Sequence, residues 1–295
     1  MDDTAPFLRS LTDRCTALSA TGLALLLALL TVASPAAAEP VRARFVEAEL
    51  VSDTKTIQPG TPFRVALRLA MEPEWHTYWE NPGDTGLPTT LEWKLPKGFE
   101  AGELAFPYPH RFLAGSYVSY GYEGEVLILQ EITPRADLPL GEDVYLGARA
   151  EWTVCRADLC MPGGADLGLE LGVSAQAEPD GYWTNRLVKA AALTPAPPEG
   201  WKAAARVDGK TLVVTLTAET DHDPGTIEVY EKKAGLIDHE TAPKIASNGT
   251  SIEITLELAR RKAPERVDLV LAASKGWSAD GSRTAIAVSA PVTAH

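Results

Sequence analysis

The chain has 295 residues and a formal net charge of −13 at pH 7. This acidity argues against nucleic acid or an anionic membrane surface as a partner, because both would repel the protein. Beyond residue 38 no apolar run approaches the roughly 18 residues that would cross a bilayer, and only two of the three cysteines remain.

The first 38 residues have the pattern of a secretory signal peptide. The apolar run Thr21–Val32 follows Arg9 and Arg14, and it leads to three alanines that end at Ala38. A short apolar segment closed by small residues is typical of a signal cleaved at that point. Cleavage after Ala38 would remove Cys15, and an uncleaved signal anchor is the alternative.

Four segments of the first half have strand patterns. Apolar and polar residues alternate in Phe63–Leu69, Leu146–Val154 and Leu167–Val173, as in strands with one buried face. The segment Val126–Ile132 is apolar at both parities, which predicts a central strand that is buried on both faces.

The middle of the chain predicts one helix and one linker. Asp180–Leu193 is the good helical candidate, and it leads into the proline-rich segment Thr194–Gly200. The second half then reads as a series of hairpins, with turns at Asp208-Gly209, Asn248-Gly249 and Asp280-Gly281. These dipeptides supply the positive φ angles that tight hairpin turns need.

Together these patterns predict an all-β protein with two immunoglobulin-like β-sandwich domains, joined by a short helix and a proline-rich linker. The expected organisation is a signal peptide at 1–38, a first sandwich domain at 39–176, the helix and linker at 177–200, and a second sandwich at 201–295.

Cys155 and Cys160 would close a loop of only about six residues. A disulfide of that span adds roughly 2 kcal/mol of stability, against nearly 5 for a hundred-residue loop. Cys155 also continues the polar parity of Glu151 and Thr153, so its sulfur is expected to be approachable and to act as the attacking thiol. A redox pair, a structural hairpin disulfide and a metal site all remain open from these residues alone.

The five histidines show no spacing that suggests metal ligation together with the cysteines. Nothing in the sequence resembles a nucleophile–base triad, a phosphate-binding loop or a hydrolase carboxylate pair. No metal and no cofactor is therefore expected.

Several motifs occur in the order found in a known family, and together they cover about residues 42–175. They are Trp75–Pro88 (WHTYWENPGDTGLP), Phe106–Pro109, Tyr120–Glu123, Trp152–Cys155 and Cys160–Pro162. In this order they resemble the amino-terminal periplasmic domain of DsbD-like thiol:disulfide interchange proteins, in the ScsB-like branch that is associated with copper tolerance.

The resemblance implies an immunoglobulin-like fold in which Cys155 and Cys160 are the redox pair. It also implies a loop whose aromatic side chain covers the disulfide. The match places this cap near Tyr117, Tyr120 and Tyr122, although Ser119 occupies the position where the capping aromatic is expected.

The resemblance implies electron relay between a membrane donor of the DsbD or CcdA type and periplasmic thioredoxin-like oxidoreductases. DsbD-like proteins continue into a transmembrane module and a thioredoxin-like domain. This chain stops at His295, so the donor is expected to be a separate protein.

The function expected from the sequence is therefore periplasmic thiol–disulfide exchange, as a component of a protein-disulfide reductase system. Cytochrome c maturation or copper tolerance is the process to which it would be linked. The alternative is a non-catalytic periplasmic binding or assembly module with a structural hairpin disulfide.

The alanine boundary generates the first prediction. The exported protein should begin at Glu39, because the small residues before it form the cleavage site. Amino-terminal sequencing of the protein recovered from the periplasm measures this directly. Recovery of the intact chain with the membrane fraction would contradict it.

Overall fold

Strands make up nearly all the regular structure of this computed structural model, which describes residues 39–157, 159–260 and 262–294. The all-β fold with sandwich-like domains, predicted from the sequence, is confirmed. The predicted signal peptide, residues 1–38, lies outside the described residues. Among the described helices none is long and apolar enough to cross a membrane.

The first sandwich begins with a five-stranded sheet in the order β1-β2-β4-β10-β7. Its strands are antiparallel neighbours throughout. They are β1 (Val41–Ala43), β2 (Val46–Ser52), β4 (Phe63–Met71), β7 (Glu100–Ala101) and β10 (Glu125–Thr133).

The second sheet of this sandwich has eight strands, in the order β13-β3-β12-β11-β5-β9-β8, with β6 paired to β11. Its longest members, β11 and β12, form a hairpin whose register runs from Asp143↔Gly172 to Arg156↔Leu159. The strands are β3 (Thr54–Ile57), β5 (His76–Gly83), β6 (Thr90–Lys94), β8 (His110–Ala114), β9 (Tyr117–Glu123), β11 (Asp143–Arg156), β12 (Leu159–Val173) and β13 (Glu178–Pro179).

The core lies between these two sheets and follows the predicted alternation. Leu67 and Ile128 from the first sheet and Leu146 and Trp152 from the second belong to one buried cluster. Because side chains on a strand alternate between faces, the odd-numbered residues of β11 point away from this core.

Helix α1 (Gly181–Leu193) covers the outer face of the five-stranded sheet. The Asp180 carboxylate caps the helix by accepting two backbone N–H bonds of its first turn. Leu187 packs with Leu127 and Leu129 of β10. This explains why β10 is apolar at both parities, since one face meets the core and the other meets the helix.

The second sandwich is built from seven strands in the order β16-β19-β20-β14-β15-β18-β17. The two hairpins predicted at Asp208-Gly209 and Asn248-Gly249 are both present. The strands are β14 (Trp201–Asp208), β15 (Thr211–Ala218), β16 (Ile227–Glu231), β17 (Lys244–Ser247), β18 (Ser251–Glu257), β19 (Arg266–Ala273) and β20 (Ala285–Ala294).

The two sandwiches share buried surface, and the described residues belong to one compact unit. Tyr230, Val270 and Ala285 of the second sandwich are part of the core cluster of the first. The Tyr230 ring makes edge contacts with Trp79 at 6.2 Å and with Tyr120 at 5.3 Å between ring centroids.

The proline-rich segment after α1 is held against the second sandwich. Ala196 forms an isolated β-bridge with Ile286, and Arg283 donates to the Pro197 carbonyl at 2.8 Å. Arg283 also pairs with Glu199 at 3.1 Å. The residues predicted as a linker therefore have fixed partners along this stretch.

The close approach of β5 and β9 generates a stability prediction. A Cβ atom on Gly121 would lie 2.0 Å from the Thr77 carbonyl oxygen, so Gly121→Ala must push the two strands apart. This substitution should lower the free energy of unfolding by about 2 kcal/mol, as overpacking does.

Gly181→Ala is the matched control, because a Cβ there meets nothing within 4 Å. Its effect should stay within about 0.5 kcal/mol or be slightly stabilising in the helix. Urea unfolding of both variants checks the comparison, and equal losses would contradict it.

Candidate redox site

The site lies at the end of the β11–β12 hairpin. Cys155 and Cys160 are directly opposite each other in the register, and a disulfide joins them with a Cα–Cα distance of 4.1 Å. On its other side Cys155 is paired with His76 of β5. The disulfide therefore joins β11 to β12, and β5 lies on the other side of β11.

The two cysteines differ in exposure. Cys155 is only 1% exposed, whereas Cys160 is exposed to solvent. The expectation that the Cys155 sulfur is the approachable one is therefore wrong. Its strand parity does place it on the outer face, but at this point a side chain from β5 covers that face.

The covering side chain is Tyr78. Its hydroxyl lies 2.9 Å from the Cys155 sulfur and 3.9 Å from the Cys160 sulfur. Burial raises the pKa of the Tyr78 hydroxyl, and hydrogen bonds with Thr85 and Ser119 oppose that rise. With its pKa raised, the tyrosine stays protonated at neutral pH and can donate to sulfur.

The end of β5 and the residues that follow it support the Tyr78 ring. The Asn81 side chain accepts from the Gly83 backbone at 3.0 Å, and Gly83 has a φ of 82°. Gly86 then lies against the ring, where a Cβ would come within 2.3 Å of the ring carbons. The motif NPGDTG thus forms a turn that leaves room for a tyrosine.

A second aromatic group lies beside Tyr78. The His76 ring is stacked on Phe112 with 4.6 Å between centroids and meets Tyr78 edge-on at 5.4 Å. Burial lowers the pKa of His76, and the Glu123 carboxylate opposes that decrease. His76 is therefore held largely neutral at pH 7.

The tip of the hairpin is fixed from the other side. Arg156 lies over the Trp75 ring at 5.1 Å and pairs with Glu74 at 3.4 Å. Trp75 in turn stacks on Phe45 with 4.0 Å between centroids. These contacts hold the hairpin tip in place beside the disulfide.

The three tyrosines predicted as the cap lie at different depths. Tyr117 is 58% exposed, Tyr120 is buried with its hydroxyl 3.1 Å from His239, and Tyr122 is buried and donates to the Pro107 carbonyl at 2.6 Å. Their capping role stays a prediction. The hydroxyl in contact with sulfur belongs to Tyr78. This residue lies within the motif Trp75–Pro88 but was not among the tyrosines predicted to cap the disulfide.

Within the described residues, no group of three or more His, Cys, Asp and Glu side chains is placed to hold a metal ion. The side-chain polar atom in contact with the sulfurs is the Tyr78 hydroxyl, which suits hydrogen bonding to sulfur better than binding of a soft metal.

Fold and site define an all-β protein that has a sandwich with one cross-strand disulfide, exposed on one side and buried on the other. Residues 42–170 match the family described as "Thiol:disulfide interchange protein DsbD, N-terminal". This part of the chain is therefore similar to that family, as the sequence motifs indicated. No curated protein sequence matches the chain.

Among solved structures, the chain is similar to the N-terminal periplasmic domain of ScsB from Proteus mirabilis, with a TM-score of 0.58 and 15% identity. The match covers 84% of this chain and 92% of that one. At this identity the likeness shows the fold alone, and it extends over both sandwiches.

Two further matches have low TM-scores and support no argument. The major pilin subunit BcpA of Bacillus cereus matches with a TM-score of 0.26 and 10% identity, over 86% of this chain and 70% of that one. The Ig1-2 module of the Drosophila receptor tyrosine phosphatase DLAR matches with a TM-score of 0.20 and 13% identity, over 84% of this chain and 98% of that one.

The unequal exposure of the cysteines generates the third prediction. After reduction, iodoacetamide should modify Cys160 at least tenfold faster than Cys155, by an order-of-magnitude estimate, because alkylation requires access to the thiolate. Peptide mass mapping over time gives both rates. The single variants Cys155→Ser and Cys160→Ser identify each signal, and equal rates would contradict the geometry.

Proposed function

We propose that the protein is a periplasmic thiol–disulfide relay that passes electrons through Cys155 and Cys160. Its partners would be a separate membrane donor of the DsbD or CcdA type and periplasmic thioredoxin-like oxidoreductases. The observation that supports this most is the disulfide itself, with one sulfur open to a partner, in the segment that matches the DsbD family.

The chemistry is two successive exchanges. The Cys160 thiolate of the reduced pair attacks a partner disulfide, which forms a mixed disulfide and releases one partner thiolate. The Cys155 thiolate then attacks the Cys160 sulfur, so that the internal disulfide forms and the second partner sulfur leaves. Two electrons pass to the partner, whose two thiolates take up protons, and a donor dithiol reverses the steps.

The difference in exposure supports an assignment of the two roles. Cys160 can meet a partner sulfur from solvent, whereas Cys155 is buried beneath Tyr78. A buried resolving thiol cannot be captured by outside disulfides, but it lies next to the mixed disulfide. Cys160 is therefore proposed as the attacking thiol and Cys155 as the resolving one.

A structural role for the disulfide is the weaker alternative. The β11–β12 hairpin is paired along its whole length, from Asp143↔Gly172 to Arg156↔Leu159. A disulfide near the end of an already paired hairpin closes a short loop and adds only about 2 kcal/mol in the chain-entropy account.

The surface near the exposed sulfur suits a protein partner. Leu159, next to Cys160, is 49% exposed, and Leu87, which follows the glycine under Tyr78, is 67% exposed. Solvent-exposed apolar side chains around a reactive group are typical of a docking surface. For the cap we propose the β8–β9 hairpin, with Phe112 stacked on His76 and Tyr117 at its tip.

The remaining proposals concern location and organisation. Export would be directed by residues 1–38, with cleavage after Ala38. The redox domain would span 39–176, the helix and linker 177–200, and the second sandwich 201–295. Copper tolerance and cytochrome c maturation are the settings in which such a relay would act.

The reduction potential tests the function. A relay pair should lie at roughly −270 to −120 mV, whereas structural disulfides of secreted proteins usually lie below about −300 mV. Equilibration against glutathione or dithiothreitol buffers, followed by thiol alkylation, gives the value. A potential well below that of the exchange-active pairs would favour the structural alternative.

Trapping gives an independent check of the same proposal. Cys155→Ser leaves Cys160 without its resolving thiol, so mixed disulfides with a thioredoxin-like partner should accumulate. Cys160→Ser is the matched control and should trap little, since Cys155 is buried. Equal trapping by both variants would contradict the assignment of roles.

A further inference from the structure

A buried polar cluster connects the second sandwich to the loop beneath the redox site. Its centre is His239, which lies between β16 and β17 and whose side chain is 8% exposed. Its Nδ1 lies 3.0 Å from a carboxylate oxygen of Asp84, and its Nε2 lies 3.1 Å from the Tyr120 hydroxyl. The buried Glu231 carboxylate is 3.6 Å from Nε2.

Asp84 connects His239 to strand β9 of the first sandwich. Its second carboxylate oxygen accepts from the Val118 backbone N–H at 2.7 Å, and its own N–H donates to the Val118 carbonyl at 2.8 Å. Partial burial opposes ionisation of Asp84, but the Val118 N–H and His239 outweigh it and lower the pKa of the carboxyl group. The charged Asp84 is thus pinned to β9.

The next residues lead from Asp84 to the sulfur. The Thr85 hydroxyl is 2.7 Å from the Ser119 hydroxyl, and the next residue, Gly86, lies against the Tyr78 ring, where a Cβ would come within 2.3 Å of the ring carbons. The Tyr78 hydroxyl lies 2.9 Å from the Cys155 sulfur. A continuous series of hydrogen bonds and adjacent residues therefore runs from His239 to the redox pair.

We propose that His239 is a positioning residue for the redox site, through which the second sandwich holds Tyr78 against Cys155. This deepens the proposed thiol–disulfide relay and rests on it. His239 touches neither sulfur, so its effect passes through the loop Asp84–Gly86.

The interface does not depend on His239 alone. The Asn81 side-chain amide donates to the Glu231 backbone carbonyl at 2.7 Å, and Tyr230 packs between the rings of Trp79 and Tyr120. Removing the imidazole should leave the two sandwiches in contact. The expected consequence is local, namely a less firmly held Tyr78.

The test uses the full exported chain carrying His239→Ala. With Tyr78 loosened, the Cys155 thiol of the reduced protein should be alkylated roughly fivefold faster, the lower end of usual coupling between sites. The equilibrium with dithiothreitol should move toward the disulfide, because Tyr78 no longer donates to the reduced Cys155 sulfur.

His222→Ala is the matched control. His222 is also in the second sandwich, its Nε2–H donates a hydrogen bond to the Gly276 carbonyl at 2.9 Å, and its ring meets Trp201 edge-on. Its removal should leave both readouts unchanged. Changes confined to His239→Ala support the proposal, whereas no change, or equal changes in both variants, overturns it.

Two further variants separate positioning from loss of fold. His239→Asn keeps a side-chain N–H near Asp84 and should restore most of the wild-type alkylation rate; failure to do so overturns the proposal. If His239→Ala does not fold, Tyr120→Phe is tested in its place, because it removes only the hydroxyl group that contacts His239 Nε2. It should then accelerate Cys155 alkylation in the same direction, and an unchanged rate would refute the coupling.

The alkylation readout keeps this inference separate from the proposed function. It is measured on protein fully reduced by a strong reductant, so it does not require that the pair exchange with a partner. A structural potential in the wild-type protein would refute the relay alone. An unaltered Cys155 rate in His239→Ala, beside a relay-like potential, would refute the coupling alone.

Discussion

The contact between the Tyr78 hydroxyl and the Cys155 sulfur is the constraint on which the rest of the site depends. A buried hydroxyl without a hydrogen-bond partner costs free energy, and a Cys155 sulfur that was not covered would be open to any oxidant. Both problems are solved by placing the tyrosine on the strand next to the hairpin. The neighbouring glycines follow from this choice, since Gly86 must leave space for the ring and Gly121 must let β9 approach β5.

The unequal burial of the two sulfurs leaves one of them accessible from solvent and the other inaccessible. In exchange chemistry the incoming thiolate must approach along the S–S axis, so access to one sulfur and not the other selects the atom that is attacked. The hairpin provides this asymmetry because Cys155 is paired on both sides, with Cys160 of β12 and His76 of β5, whereas Cys160 is exposed to solvent. The Tyr78 hydroxyl on the buried side offers a donor to a thiolate without adding a formal charge.

Local patterns in the sequence were sufficient for the elements but not for the exposure of the site. The Asp-Gly and Asn-Gly turns, the helix after Asp180, and the two-sided burial of β10 could be predicted because each depends on residues close in sequence. The parity of Cys155 could also be read from its strand. Its burial could not, because it depends on Tyr78, which is 77 residues away in the chain. The same limit applies to His239 and Asp84, which are brought together only by packing of the two sandwiches.

The polar groups within the contact between the sandwiches are informative beside its apolar residues. Burial raises the pKa of Glu231, and the backbone N–H groups of Gly235 to Ile237 and the nearby His239 oppose that rise. An apolar interface would hold the two sandwiches together at lower desolvation cost than these ionisable groups do. Directional hydrogen bonds fix relative position more narrowly than apolar packing does, because they lose strength steeply with angle and distance. An interface that keeps such groups beside the turn under Tyr78 is therefore better suited to setting the position of that turn than to adding stability.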